Sequence, residues 1–153
     1  LVRSRHHYEM AQKNRIGHRG SDFGYTLDDG KTGSLYDIRT PFTLVIFHNP
    51  DCRECESVMF HLAHNPDLKS VVDKGKLTVL TLYPDNDLEV WQEHLTVLPG
   101  WWVNGYDQHC TINEEVLYDI RAIPSLYLFD NDKRVILKDA EKRDIEIWLR
   151  NHL

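Results

Sequence analysis

Residues 42 to 55 read FTLVIFHNPDCREC, an apolar run followed by a turn and two cysteines three positions apart. The run FTLVIF consists mainly of β-branched and aromatic residues, which is typical of a strand buried on both faces of a parallel or mixed sheet. A helix is predicted to follow from Cys52 to His64. The positions expected on its buried side are Val58, Met59 and Leu62. The cysteine pair therefore lies where a central strand passes into a helix.

The position of Cys52 in the first turn of this helix favours a reactive thiolate. Free backbone N–H groups and the positive end of the helix dipole stabilise negative charge there. Cys55 lies one helical turn further along the same face, so it can attack a mixed disulfide formed at Cys52. We therefore predict that Cys52 is the nucleophile and Cys55 the resolving cysteine.

Charged residues surround the pair and carry both signs. Asp51 is predicted to be the N-cap of the helix, with Glu54 as its capping-box partner. Both carboxylates raise the pKa of the Cys52 thiol, whereas Arg53 lowers it. This balance predicts a modestly acidified thiol and a reducing or intermediate potential, rather than that of a strong oxidant.

Two other uses of the cysteine pair are open from the sequence. A structural zinc site needs four ligands. Besides the cysteine pair, only the adjacent His109 and Cys110 offer further ligands that include a thiol, and they do not form a second spaced pair. Cysteines retained only for packing are the other alternative.

His61 and His64 also lack an evident third ligand, so no metal site is predicted. Cys110 is expected to be a free buried thiol.

Composition narrows the class of protein. A chain of 153 residues with 41% hydrophobic content suits one domain. The net charge of −6 argues against nucleic acid as a partner, because no cationic excess is present to neutralise phosphates. No apolar run reaches the roughly 18 residues that a membrane span requires. Because residue 1 is Leu, we expect residues 1–16 to be the helical tail of an upstream segment and residues 17–153 to be the domain.

The remaining elements alternate between strand and helix. Residues 22–38 predict a β-hairpin around the turn DDGKTG. Strands are expected at 77–83, 125–130 and 134–138, and helices at 67–75, 87–95, 113–120 and 144–153. The stretch LPGWWVNGYD is expected to be irregular, with its aromatic residues packed on the core. Together these elements predict an α/β sandwich around a mixed sheet.

Three segments resemble the thioredoxin fold, and specifically the TlpA/ResA-like branch of thiol-disulfide oxidoreductases of bacterial cell envelopes. They are FTLVIFHNPDCREC, DIRAIPSLYLFD and GSDFGYTLDDGKTGSLYDI. The resemblance implies a three-layer α/β/α sandwich with an added N-terminal hairpin and an insertion before the proline strand. It also implies a cis peptide between Ile123 and Pro124, opposite the two sulfurs, where the backbone edge receives an extended substrate.

The sequence departs from the family's pattern near the cysteines. Asp51 and Glu54 stand where the family commonly has an aromatic residue and a proline, and the family's buried acid has no match. One version of that acid would fall at Ile46 and the other at Val58. His48 is therefore our candidate for the proton acceptor, because histidine titrates near neutrality. The alternative is a histidine held by a loop carbonyl.

The resemblance implies an enzyme that exchanges disulfides with protein substrates, needs no cofactor beyond the Cys52–Cys55 disulfide, and takes electrons from an unidentified donor. It implies the periplasm or cell envelope as the location. The alternative function is a catalytically weak binding or interaction domain appended to an upstream domain.

Overall fold

The structure is a computed structural model and describes residues 13–120 and 122–153. Residues 1–12 of the predicted helical tail lie outside the described residues, and residues 13–16 are not helical. Within them, β-strands and helices alternate along the chain, and the strands form one seven-stranded mixed sheet in the order β2-β1-β5-β4-β3-β6-β7.

The strands are β1 Gly24–Thr26, β2 Thr32–Ser34, β3 Phe42–Phe47, β4 Leu77–Tyr83, β5 Val103–Tyr106, β6 Ser125–Phe129 and β7 Val135–Ala140. The helices are α1 Arg53–Ala63, α2 Pro66–Asp73, α3 Leu88–Leu95, α4 Thr111–Glu114 and α5 Lys142–His152, with a 3-10 turn at Leu35–Asp37. The predicted hairpin is confirmed, since β1 and β2 pair antiparallel.

Strand β3 lies inside the sheet between β4 and β6, parallel to β4 and antiparallel to β6. Its side chains alternate between the two faces, as the pleat of a strand requires. Leu44 and Ile46 belong to one buried cluster, and Val45 and Phe47 belong to the other. A continuous apolar run is needed here because both faces of the sheet are covered.

The two faces are covered differently. Helices α1, α2 and α5 pack on the face of Leu44 and Ile46, through buried side chains such as Met59, Leu68 and Trp148. The opposite face is covered by the residues before β1, the 3-10 turn, helix α4 and the segment after it. Helix α1 thus lies directly over the central strands, and its N-terminus meets the carboxyl end of β3.

Strand β5 corrects the prediction that the LPGWWVNGYD stretch is irregular. Residues Val103–Tyr106 pair in parallel with β4. The Pro-Gly and Asn-Gly pairs hide this strand, because Gly and Asn are poor strand formers. Gly105 is nevertheless suited to its place, since a Cβ there would lie 3.0 Å from the Cβ of Tyr25. The prediction that the aromatic residues of this stretch pack on the core is confirmed, since Trp102 and Tyr106 are buried and Trp101 packs, partly buried, against the core. Trp91, in α3, is buried as well.

Helix α4 is shorter than the helix predicted over 113–120. It ends at Glu114, and Val116 then takes a positive φ of 49°, which ends the helical path. The amide of Leu117 instead donates to the Ile112 carbonyl. Tyr118 is buried on the second face of the sheet. Tertiary packing of this ring therefore outweighs the local helical pattern.

Candidate active site

The two cysteines lie at the N-terminus of α1, directly after the turn that follows β3. Cys52 is the N-cap, with an extended backbone at φ −106° and ψ 109°. Cys55 is the third residue of the helix, and the two Cα atoms are 5.1 Å apart. The two sulfurs are joined in a disulfide. Strand β3 and the helix start thereby hold the pair at the carboxyl edge of the sheet.

The sulfur of Cys52 takes the role that was predicted for Asp51. The Cys55 backbone N–H donates to Cys52 Sγ at 3.1 Å, which is the usual bond from an N3 amide to an N-cap side chain. The predicted capping box of Asp51 and Glu54 is therefore wrong. Both side chains lie at the surface beside the pair. The backbone N–H of Cys55, in the first turn of the helix, therefore points at the Cys52 sulfur itself.

The two cysteines differ sharply in exposure. Cys52 is partly exposed, whereas Cys55 is fully buried among the side chains of α1 and the sheet. A visiting protein can therefore reach the sulfur of Cys52 but not that of Cys55. This asymmetry suits a pair in which one sulfur attacks an outside partner and the other acts only within the molecule.

The segment before β6 lies against the exposed sulfur. The Ile123–Pro124 peptide bond is cis, which is the isomer that the resemblance implies. The Ile123 carbonyl oxygen lies 4.0 Å from Cys52 Sγ. A depression of about 440 Å³ lies beside this peptide and is lined by Ile123, Pro124, Glu54 and Lys142, among others. The structure thus brings Cys52, Ile123 and Pro124 together at one surface.

The surroundings of Cys55 are apolar. Ile46 and Val58, the two positions at which the family's acid would fall, both contribute to the cluster that contains Cys55. Neither position carries a proton acceptor. A thiol at Cys55 must therefore exchange its proton with a group elsewhere or with water.

His48 lies one residue beyond β3 and is fully buried. Burial, and secondarily the neighbouring His94, lower its pKa to about 3. The expectation that His48 titrates near neutrality is therefore wrong. Neither ring nitrogen of His48 has a hydrogen-bond partner among residues 13–120 and 122–153, so the loop carbonyl considered as its alternative partner is not found there either.

A second histidine, His94, was missed by the sequence reasoning. It lies at the end of α3, and its ring centroid is 5.6 Å from that of His48. Burial lowers its pKa, while Glu56 and Asp51 act in the opposite direction. A local signal exists, since His94 lies three residues after the buried Trp91 and so shares its side of the helix. Nothing local links it to His48.

The other singled-out side chains are exposed or partly exposed. His61 and His64 are exposed, and each Nδ1 contacts a carbonyl one turn earlier in α1, at 2.7 and 2.8 Å. Arg53 is exposed beside the pair. Cys110 is a free thiol of intermediate exposure rather than the buried one that was expected. Across the described ranges, no group of three or more His, Cys, Asp or Glu side chains is arranged to hold a metal ion.

Comparison with solved structures places the chain among known folds. A thioredoxin-like protein from Bacteroides caccae matches with a TM-score of 0.97 and 43% sequence identity, over 99% of this chain and 55% of that chain. The chain thus spans about half the length of that protein. The C-terminal domain of an uncharacterized protein from Bacteroides fragilis matches with a TM-score of 0.87 and 40% identity, over 90% of this chain and 98% of that chain.

A more distant match shows the fold alone. It is the thioredoxin domain of a thiol-disulfide oxidoreductase from Bacteroides vulgatus, with a TM-score of 0.75 and 19% identity, over 88% of this chain and 98% of that chain. Comparisons with protein-family models and with curated proteins gave no match. The expected α/β fold is confirmed by these structures and by the mixed sheet. On its fold and on its identity to the Bacteroides structures, the chain belongs to the thioredoxin-like protein family.

Proposed function

We propose that the domain is a thiol-disulfide oxidoreductase of the TlpA/ResA-like branch, acting on protein substrates through Cys52 and Cys55. One observation carries the proposal: the partly exposed sulfur of Cys52 accepts the Cys55 N–H at 3.1 Å, while Cys55 itself is buried. An amide directed at a sulfur stabilises its thiolate, which is the attacking species in disulfide exchange. The buried partner is then reserved for the intramolecular step.

Reduction of a substrate proceeds in two exchanges. The Cys52 thiolate attacks one sulfur of the substrate disulfide, the substrate S–S bond breaks, and the second substrate sulfur leaves as a thiolate. Cys55 then loses its proton and attacks Cys52 Sγ of the mixed disulfide. The Cys52–Cys55 bond forms, and the first substrate sulfur leaves as a thiolate. Two electrons have passed to the substrate, and an electron donor must reduce the pair again.

The cis-proline segment is the proposed support for the substrate. The Ile123 carbonyl and Pro124 present a backbone edge next to Cys52 Sγ, and an extended peptide can lie along such an edge. Asp51, Arg53 and Glu54 are exposed near the sulfur, and Glu54 also lines the depression beside the cis-proline segment. We assign these three side chains to the rim of the surface that contacts the substrate. Charges at a rim affect the association rate more than the affinity.

The proposed potential is reducing or intermediate. The helix N-terminus and Arg53 stabilise the Cys52 thiolate, whereas the carboxylates of Asp51 and Glu54 oppose it. A strong oxidant needs a much more stabilised thiolate in its reduced form. The mixed charges at this site argue against that. A redox titration of the pair against glutathione measures the potential, and a strongly oxidising value would contradict the assignment.

The cell envelope is the proposed location, on the family resemblance. The net charge of −6 gives no reason to expect a nucleic-acid partner. Among the residues described, no helix is long and apolar enough to span a bilayer. The exchange itself needs no cofactor besides the two cysteines.

A catalytically weak binding domain is the second candidate function. It is favoured by the apolar side chains Ile46 and Val58 beside Cys55, where the family has its acid. Without an acceptor for the Cys55 proton, disulfide exchange has little turnover. Such a domain would bind its partners noncovalently rather than exchange disulfides with them.

Insulin reduction and covalent trapping separate the two candidates. If the domain is an oxidoreductase, the protein should reduce insulin. Cys52→Ser should abolish this activity, and Cys110→Ser should leave it unchanged. Cys55→Ser blocks resolution, so a substrate stays attached at Cys52. Absence of insulin reduction together with an empty trap would favour the binding domain.

A further inference from the structure

The buried ring of His48 packs against the partly buried ring of His94 beside the cysteine turn. His48 is fully buried, and its ring centroid lies 5.6 Å from that of His94. Both ring nitrogens of His48 and Nε2 of His94 are buried without a hydrogen-bond partner in the described part of the chain. Buried polar atoms are usually paired, so three unpaired ring nitrogens at one place call for a functional explanation.

A groove lies between His94 and helix α1. The groove has a volume of about 540 Å³, and its lining includes Arg53, Glu56, Met59 and His94. Met59 lies one turn after Cys55 on the same helix face, and both belong to one buried cluster. Cys55 itself does not line the groove, but Met59 joins the groove lining to the cluster in which Cys55 is buried.

The resolving step of the proposed exchange requires a group that accepts the proton of Cys55. Cys55 is a buried thiol, and it must lose a proton before it can attack the mixed disulfide. Its apolar neighbours Ile46 and Val58 cannot accept that proton. Glu56 also lines the groove, but its carboxylate is exposed to water, whereas His94 carries a buried imidazole nitrogen that can accept the proton.

We propose, on the basis of the oxidoreductase function above, that His94 accepts the proton of Cys55 during resolution and passes it through the groove to solvent. The Cys55 S–H bond breaks, and its proton moves to an imidazole nitrogen of His94, directly or through one water. The resulting thiolate forms the bond to Cys52 Sγ, and the substrate sulfur leaves with the electron pair of the broken bond. The His94 imidazolium then returns its proton to solvent.

Electrostatics favour His94 over His48 as the acceptor. Burial lowers the pKa of both rings, but Glu56 and Asp51 act to raise that of His94. The two rings would repel each other as cations, so a proton taken up by the pair resides on His94, the ring that the carboxylates favour. Arg53 and the exposed His61 and His64 line the same groove and oppose a cation there. At neutral pH the pair is therefore uncharged and ready to accept a proton.

A stopped-flow reaction of the reduced protein with DTNB separates the two exchanges. The first thionitrobenzoate leaves when Cys52 forms the mixed disulfide, and the second leaves when Cys55 displaces it. All proteins should carry Cys110→Ser, because that free thiol would also react. His94→Gln is the test variant. His64→Gln is the matched control, since His64 lines the same groove at the far end of α1.

We expect His94→Gln to slow the second phase at neutral pH by on the order of 100-fold, the usual effect of removing a general base. The first phase should keep its rate, which also shows that the variant is folded. The deficit should shrink as the pH rises, because solvent then ionises Cys55 unaided. Imidazole added to a His94→Ala variant should restore part of the second phase.

Two outcomes would overturn the role of His94. One is a second phase in His94→Gln with the rate and pH profile of the unmodified protein. The other is a second phase slowed by the same factor at every pH, which indicates a structural effect. The proposed function is judged separately, since insulin reduction by the protein with His94 intact does not depend on either outcome.

Discussion

Replacement of His48 by Phe should remove a specific acid-sensitive part of the protein's stability. The imidazole is fully buried, and its pKa falls from the ordinary 6.5 to about 3 in the folded chain. When the pH is below 6.5, the pKa of the histidine in the unfolded chain, the unfolded chain binds a proton that the folded chain does not. Stability is therefore lost as the pH falls from 6.5 toward about 3. The loss is complete once the pH reaches the folded pKa, and stability rises again with increasing pH.

The magnitude follows from the width of the window. Between about pH 7 and about pH 5, His48 alone should lower the free energy of unfolding by about 2 kcal/mol, since each unit of pH below the unfolded pKa contributes ~1.4 kcal/mol. Other groups also titrate, so the quantity to compare is the change in stability of the protein and of His48→Phe over the same two pH values. The variant should lose less by that amount.

Urea denaturation followed by tryptophan fluorescence measures these free energies. His18→Gln is the matched control, because it removes an exposed imidazole instead of a buried one. We expect the control to follow the unmodified protein. If His48→Phe loses as much stability between the two pH values as the unmodified protein, then His48 is not held neutral in the fold and the reasoning fails.

Three further outcomes are expected elsewhere in the molecule. Leu62→Ala should cost about 2–5 kcal/mol in a urea titration because Leu62 is fully buried, whereas Phe60→Ala, at a side chain that is 61% exposed, should cost far less. Tyr118→Phe should cost about 1 kcal/mol, since it removes the 2.6 Å hydrogen bond from the Tyr118 hydroxyl to the Ser21 carbonyl; an unchanged urea midpoint would contradict this. Cys110→Ser should leave the redox potential of the cysteine pair unchanged, and a shifted potential would show coupling between the sites.

The central part of the fold could be predicted because its signals are local and strong. Strands β3, β4 and β6 are continuous apolar runs, and such runs are buried whatever their partners. Strand β5 was not predictable in this way, since its Asn-Gly pair favours a turn and only its pairing with β4 makes it a strand. Helix α4 was predicted too long for the opposite reason, because burial of Tyr118 interrupts a sequence that is locally helical.

In the site, too, the features set by local sequence could be predicted, whereas those set by long-range packing could not. The spacing of the cysteines after a buried strand identified the pair and its position at the helix start. The N-cap was misassigned, because Asp51 is the better capping residue in isolation and the fold places the sulfur of Cys52 there instead. The contact between His48 and His94 joins residues 46 positions apart, through the packing of α3 beside the end of β3. Neither local pattern nor spacing reveals such a pair.

The reactivity of the two thiols as a function of pH tests the central claim most directly. The reduced protein would be alkylated with iodoacetamide over a range of pH, and the modified cysteine identified by mass spectrometry. We predict that Cys52 reacts first, with a pKa below the ~8.5 of a free cysteine, because the Cys55 N–H stabilises its thiolate, and that Cys55 is protected. Faster alkylation of Cys55, or a Cys52 thiolate that forms only above ~8.5, would contradict the account.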